Sequence, residues 1–199
     1  MEDVKDIRRL FYDENEVVSA KYLSDNDVSR YLITKYLEQN ILEKAGYGKY
    51  RLNNAAPDEF YSIQTRSSKI VFSHASALYL ANFTDKIPLT YDITVPQGYN
   101  VSKIKRDFPN INFYYSKTDL WSVGLKKTVT PFGLEVNVYD TERTVLDIIK
   151  KRKKIDYQVY IQFLKDYFKS NTNFRKILKY AKLMNMEQKI RDYIELLQQ

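Results

Sequence analysis

Two sets of side chains in this 199-residue chain are of types that act on a partner. The first is Arg30, Tyr31, Thr34 and Lys35. At 100° per residue these two cations, a ring and a hydroxyl share one half of a helix. Such groups reach base edges and phosphates in a DNA major groove. Tyr47, Lys49 and Arg51 follow in a Gly-broken stretch, the aromatic and basic end of a hairpin able to touch phosphate or the adjacent groove. The second set is cationic: Lys103, Lys105 and Arg106; Lys126 and Lys127; and the run Lys150, Lys151, Arg152, Lys153, Lys154. That run closes a helix, where the dipole favours cations. Five in succession exceed what capping needs, so they read as a phosphate-contact patch.

Catalysis has less to work with. There is no cysteine, which excludes thiolate nucleophiles and disulfides. His74 is the single histidine, so most acid–base schemes at neutral pH lack a partner. Ser73 and His74 could be nucleophile and base. Neighbours at a helix start point apart, however, and a triad needs a base turned to the hydroxyl and oriented by a third group. Ser73 therefore reads as a helix cap. Glu142 and Arg143 read as an ion pair fixing a helix to a sheet. With no Gly-rich phosphate loop, paired acidic metal motif or Cys/His cluster, no enzyme, metal or cofactor is expected.

The elements that position the first set run from Asn15 to Leu52. A short helix over 20–24, with Ser19 as its N-cap, is followed by the turn formers Ser24, Asp25, Asn26 and Asp27. Asp27 suits the N-cap of a second helix, which buries Val28, Leu32, Ile33, Tyr36 and Leu37. Residues 41–44 read as a strand, Gly46 and Gly48 as turn positions, and 49–52 as the returning strand. Helix, turn, helix and basic hairpin make a winged helix-turn-helix. A preceding helix over 2–13, with Val4, Ile7, Leu10 and Phe11 at helical spacing, buttresses it.

The expected boundary lies at Asn53–Pro57, giving domains 1–54 and 55–199. The first carries nine basic and ten acidic side chains, the second 23 and 15, so the body holds the whole net charge of +7 and more. Such a body attracts polyanions. In it, strands are expected over 60–64, 70–72, 91–95 and 111–115, with a hairpin of 121–129 and 134–139. Helices are expected over 73–82, 101–108, 140–150, 156–169, 172–184 and 187–197, Asp140 capping the third of these. The fold class is α+β, a winged helix-turn-helix followed by a larger mixed-sheet domain closed by C-terminal helices. The N-terminus has no signal-peptide core and no apolar run approaches the ~20 residues of a membrane span. A soluble cytoplasmic protein is expected.

LEKAGYGKY (42–50), SHASALYL (73–80), DITVPQGYN (92–100), VYDTERTVLDII (138–149) and KYAKLMNMEQKIRDYIELL (179–197) occur in an order that resembles the AbiEi antitoxins of the AbiE abortive-infection systems. The likeness spans nearly the whole length. The usual glycine between helix and wing is Asn40 here, a residue that also tolerates the left-handed conformation. The resemblance implies a type IV toxin–antitoxin protein with two tasks. It represses its own operon by binding double-stranded inverted repeats, and it neutralises a nucleotidyltransferase toxin without a stable complex. It implies that the C-terminal domain neutralises, that both domains repress, and that the system serves phage defence. The alternative is a protein-interaction module that neutralises the toxin by direct or indirect contact.

Overall fold

The structure, a computed structural model, describes residues 7, 10, 11, 17–53, 58–151, 157–169 and 173–197, with backbone alone for 157, 159 and 197. The chain is α+β and divides into two compact units. One holds the described residues up to Ser68 together with Val129–Glu135; the other holds Lys69–Thr128 and the residues from Val136 onward. The division thus falls later than the expected Asn53–Pro57, and the first unit takes back a piece of chain far downstream.

In the first unit, β1 (Val17–Ser19), α1 (Ala20–Asp25), α2 (Arg30–Glu38), β2 (Leu42–Gly46) and β3 (Lys49–Leu52) follow in order. The strands pair antiparallel in the order β1-β3-β2. Ser19 Oγ accepts from Tyr22 N at 3.0 Å and starts α1 as expected. The cap of α2 is different. Asp27 sits in the left-handed region at φ 63°, where it reverses the chain between the helices. Ser29 caps instead, its Oγ accepting from Leu32 N at 3.3 Å. Asp tolerates a left-handed backbone at small cost, and placing it there lets Val28 turn inward. Ile33 and Tyr36 of α2 pack with Leu23, Val18, Leu42, Leu52, Ile7 and Phe11 in one core. Val4 lies outside the described residues. Asn40 ends α2 at φ 54°, with Ile41 N donating to Tyr36 O at 2.9 Å, a left-handed helix stop. Gly48 makes the hairpin turn at φ 65°.

Residues 60–64, expected as a strand, form helix α3 (Glu59–Gln64). Asp58 caps it, accepting from Tyr61 N at 3.1 Å, and Phe60 and Ile63 are buried three apart, a helical spacing. The second carboxylate oxygen of Asp58 accepts from Thr130 Oγ1, which ties the 129–135 segment to the same unit.

In the second unit β4 (Val71–Phe72), β5 (Tyr91–Pro96), β6 (Ile111–Ser116), β7 (Leu125–Val129) and β8 (Glu135–Tyr139) form a mixed sheet in the order β6-β5-β4-β8-β7. β5 runs parallel to β6 and β4 parallel to β8, while β4 and β5 are antiparallel. Trp121, expected to open the strand of β7, ends a short helix, α6 (Thr118–Trp121); α4 (His74–Leu80) and α5 (Ser102–Asp107) precede it. Helix α7 (Thr141–Lys150) starts on Asp140, whose Oδ1 accepts from Arg143 N at 2.9 Å as expected. Val145, Leu146, Ile148 and Ile149 of α7 share a core with Phe163, Leu164, Ile177, Ala181 and Ile190. These last come from α8 (Tyr157–Lys169), α9 (Phe174–Leu183) and α10 (Glu187–Leu197), which close the unit.

Candidate functional site

On α2 the buried side is set by Ile33 and Tyr36, and the opposite side presents Arg30, Tyr31, Thr34 and Lys35, all exposed. Tyr31 is 76% accessible. Thr34 Oγ1 donates to Arg30 O at 3.1 Å, so its hydroxyl is partly engaged by its own helix. At the hairpin, Tyr47 is 84% exposed and Lys49 half-buried. Arg51 departs from its expected role. It faces Glu43 across the β2–β3 register and its Nε lies 2.6 Å from Glu43 Oε1, with little of its side chain exposed. Arg51 is a cross-strand ion pair rather than a group offered to phosphate.

The described cationic positions of the body lie on separate elements. Lys103, Lys105 and Arg106 are exposed around buried Ile104 on α5, and Arg106 Nε lies 3.2 Å from Asp107 Oδ1. Lys126 and Lys127 are exposed on β7, where successive side chains leave on opposite faces. Lys150 and Lys151 are exposed at the end of α7. Arg152, Lys153 and Lys154 lie outside the described residues.

The second unit also holds a cleft of 810 Å³ that the sequence reading did not find. It is built from the end of β4, one face of β5 and β6, and α7. The β5–β6 register sets Asp92 beside Asn112, Thr94 beside Tyr114, and Pro96 beside Ser116. Asp92 and Thr94 are buried although polar, alternating with Ile93 and Val95, which are buried on the other face. His74 enters α4 at φ 48°, a left-handed backbone that His tolerates better than most residues. This conformation swings the imidazole back, so Nδ1 lies 3.0 Å from Ser73 Oγ, and the ring stacks on Tyr114. The expectation that Ser73 and His74 point apart is therefore corrected. So is the expectation that Ser73 caps α4. Its Oγ accepts from Thr94 Oγ1 at 2.9 Å, and Asp92 Oδ2 takes the capping role from the neighbouring strand, accepting from Ala75 N at 3.1 Å. Ser73 is fully buried, so its hydroxyl faces no substrate.

Arg143 and Asp147 form the other wall. Arg143 Nε donates to Asp147 Oδ2 at 3.0 Å, Nη1 to the carbonyls of Leu120 and Val123, and Nη2 approaches Ser116 Oγ at 3.5 Å. Its Cζ lies 4.3 Å from the Tyr139 ring centre. Burial pushes the Asp147 carboxyl up, and the Arg143 charge opposes that. Burial, and then the Asp92 carboxylate, raise the Tyr114 phenol, which keeps it a donor. Glu142 and Arg143 were expected to form one ion pair, and each pairs elsewhere. Lys176 Nζ lies 2.8 Å from Glu142 Oε2 and 3.0 Å from Asp140 Oδ2, joining α9 to the start of α7. Burial lowers the Lys176 pKa, but the two carboxylates outweigh it and hold the ammonium charged.

Among the described residues no group of three or more His, Asp or Glu is placed to hold a metal, and no helix is long and apolar enough to cross a membrane. The fold is similar to that of the RV2827C protein from Mycobacterium tuberculosis, known from a crystal structure. The two match with a TM-score of 0.62 over 88% of this chain and 69% of that one, at 11% identity. At that identity the likeness concerns fold alone. No protein-family model and no curated protein matches the chain.

Proposed function

We propose that the protein is a DNA-binding autorepressor and the antitoxin of a bacterial abortive-infection toxin–antitoxin pair, acting in the cytoplasm. The observation that carries the DNA reading is the outer face of α2. Arg30, Tyr31, Thr34 and Lys35 are all exposed on a short helix that follows another across a four-residue turn. On this reading residues 1–54 are a winged helix-turn-helix, with α2 in the major groove of an inverted repeat and Tyr47 and Lys49 touching backbone at the hairpin. Lys103, Lys105, Arg106, Lys126, Lys127 and the 150–154 run add sequence-independent phosphate affinity. The antitoxin half of the proposal rests on the motifs quoted above, and the partner is a nucleotidyltransferase toxin met without a stable complex.

The deciding experiment is fluorescence anisotropy on a duplex from the gene's own upstream region and on a scrambled duplex, across a salt series. Tight binding to the first alone, with affinity falling steeply in salt, supports the repressor. Equal weak binding to both removes the DNA role.

A further inference from the structure

β6 lies at one end of the second sheet, and among the described residues β5 is the strand it pairs with. Tyr91 N donates to Asn110 O at 2.8 Å and Gln97 N to Ser116 O at 2.7 Å. Along a parallel pair the N–H and C=O of one residue point to the same side, and the side alternates from residue to residue. The even-numbered residues from 110 to 116 therefore turn their backbone to β5. Ile111, Phe113 and Tyr115 turn theirs to the open edge. Phe113 is half-buried there and Tyr115 is 54% exposed.

The cleft described above extends around this edge. The β5–β6 register puts Phe113 and Tyr115 on one face of the sheet and Tyr114 and Ser116 on the other. All four line the same space. A space reaches both faces of one strand only past its unpaired side.

The two ends of the sheet differ. β7, at the far end, carries exposed Lys126 and Lys127, and charges on an edge strand oppose the addition of another. β6 reads INFYYS, with neither a charge nor a proline. One edge is guarded and the other is left open to pairing.

We propose that β6 takes up an acidic, extended segment of a protein partner as a further strand of the sheet. Main-chain hydrogen bonds to Ile111, Phe113 and Tyr115 hold the segment, and its alternate side chains meet two different surfaces. One set, apolar, lies beside Phe113 and Tyr115. The other set, acidic, faces the α7 wall of the cleft. The carboxylate of that wall, Asp147, is already met by Arg143 at 3.0 Å, whereas Lys117, Lys150 and Lys151 are exposed. Lys117 follows β6 directly and has no part in the proposed DNA contact. A second copy of the chain fits less well, because it brings the same lysines and a strand without acid to meet them. The site lies wholly in the second unit and does not rest on the DNA role of α2.

The test is fluorescence anisotropy of the full chain with a labelled peptide of about eight residues, alternating valine and glutamate. It should bind with a dissociation constant below ~1 mM. The same peptide with lysine for glutamate should bind at least about tenfold more weakly. Tyr115→Pro removes an outward N–H and leaves the β5 pairing intact, so it should weaken the peptide about tenfold or more. Tyr115→Ala keeps that N–H and should weaken it less. A thermal melt checks that both variants are folded. Two further peptides are N-methylated at alternate residues, one at its valines and one at its glutamates. One of them should lose binding, since only one edge of the added strand pairs with β6. Binding of both as tightly as the parent overturns the proposal, because charge alone then accounts for the affinity. So does no binding up to ~1 mM, or equal binding of the lysine peptide. Sedimentation showing a dimer that Tyr115→Pro turns into monomer would assign the edge to a second copy and overturn it too.

Discussion

The imidazole of His74 lies 3.7 Å from the ring of Tyr114, centre to centre, with the planes 19° apart. The contact joins the first residue of α4 to the middle of β6, and it exists because His74 takes φ 48°. His74→Ala removes the ring and keeps the backbone penalty. It should cost roughly 2–4 kcal/mol, read as a lower urea midpoint with an unchanged slope. His74→Asn, which tolerates the same backbone, should cost less. Equal midpoints for wild type and His74→Ala would show that the stack does not hold α4 on the sheet.

Arg143 satisfies two carbonyls, a carboxylate and a hydroxyl while almost wholly buried. A lysine carries the charge but not the fork. Arg143→Lys should therefore lose roughly 3–5 kcal/mol, because Asp147 and the Leu120 and Val123 carbonyls are left short of donors. Adding Asp147→Asn should recover part of that loss, since the two residues act as a pair. A double variant as unstable as the sum of the singles would refute the coupling.

Gly124 is the neighbour that makes room for Arg143. A Cβ at Gly124 would come within 2.6 Å of Arg143 Cβ and 2.9 Å of Asp140 Oδ1, and the backbone is at φ 79°. Gly124→Ala should cost at least about 2 kcal/mol through clash and backbone strain together. Thermal unfolding would detect this, and a shift under a degree or two would contradict the packing.

Asp58 should leave a mark on the pH dependence of stability. Burial raises its carboxyl above the usual range, against the pull of Thr130, the Tyr61 and Phe60 N–H groups and Arg51. The native state then holds its proton to higher pH than the unfolded chain does. The stability this contributes is complete below the unfolded value and is lost as pH rises through the raised folded value. Asp58→Asn keeps an acceptor for Tyr61 N and removes the titration. Urea unfolding between about pH 4 and 7 should show a flatter profile for the variant, and parallel profiles would rule out Asp58 as the cause.

Two arginines of the first unit should separate cleanly. On the proposed DNA role, Arg30→Ala, on the exposed side of α2, should cost ~1–3 kcal/mol on an upstream duplex and relax base preference with no change in melting temperature. Arg51→Ala should lower the melting temperature, because it leaves Glu43 unpaired across the β2–β3 pairing, and should not change the salt slope of DNA binding. The reverse pattern would reassign both residues.

The helical spacing of the last third was legible because three long amphipathic stretches leave little choice of period. The stretch around Phe60 was not. Phe60, Tyr61 and Ile63 favour strands by type, and the Asp58 cap that decides for helix lies just before them. Ser29 lost to Asp27 as an expected cap because both are good cap residues, and only the left-handed backbone separates them. The cleft was the largest omission. Thr94 of β5 and Tyr114 and Ser116 of β6 line it from two strands, and only the β5–β6 register unites them. A usable signal was present, namely polar Asp92 and Thr94 alternating with Ile93 and Val95, and Arg143 one helical turn from Asp147.

The return of residues 129–135 to the first unit has a consequence for how the protein is made. Asp58 and the Thr130 hydroxyl that it binds are separated by 72 positions of sequence. On a ribosome Asp58 therefore emerges with Tyr61 N as a partner while Thr130 is still to come, and four of the five strands of the second sheet are synthesised before Thr130 arrives. The unit that starts first must wait for residue 135 before it is complete. A chain halted short of Thr130 would leave the second carboxylate oxygen of Asp58 without that hydroxyl, so the first unit is completed only after most of the second sheet has been made.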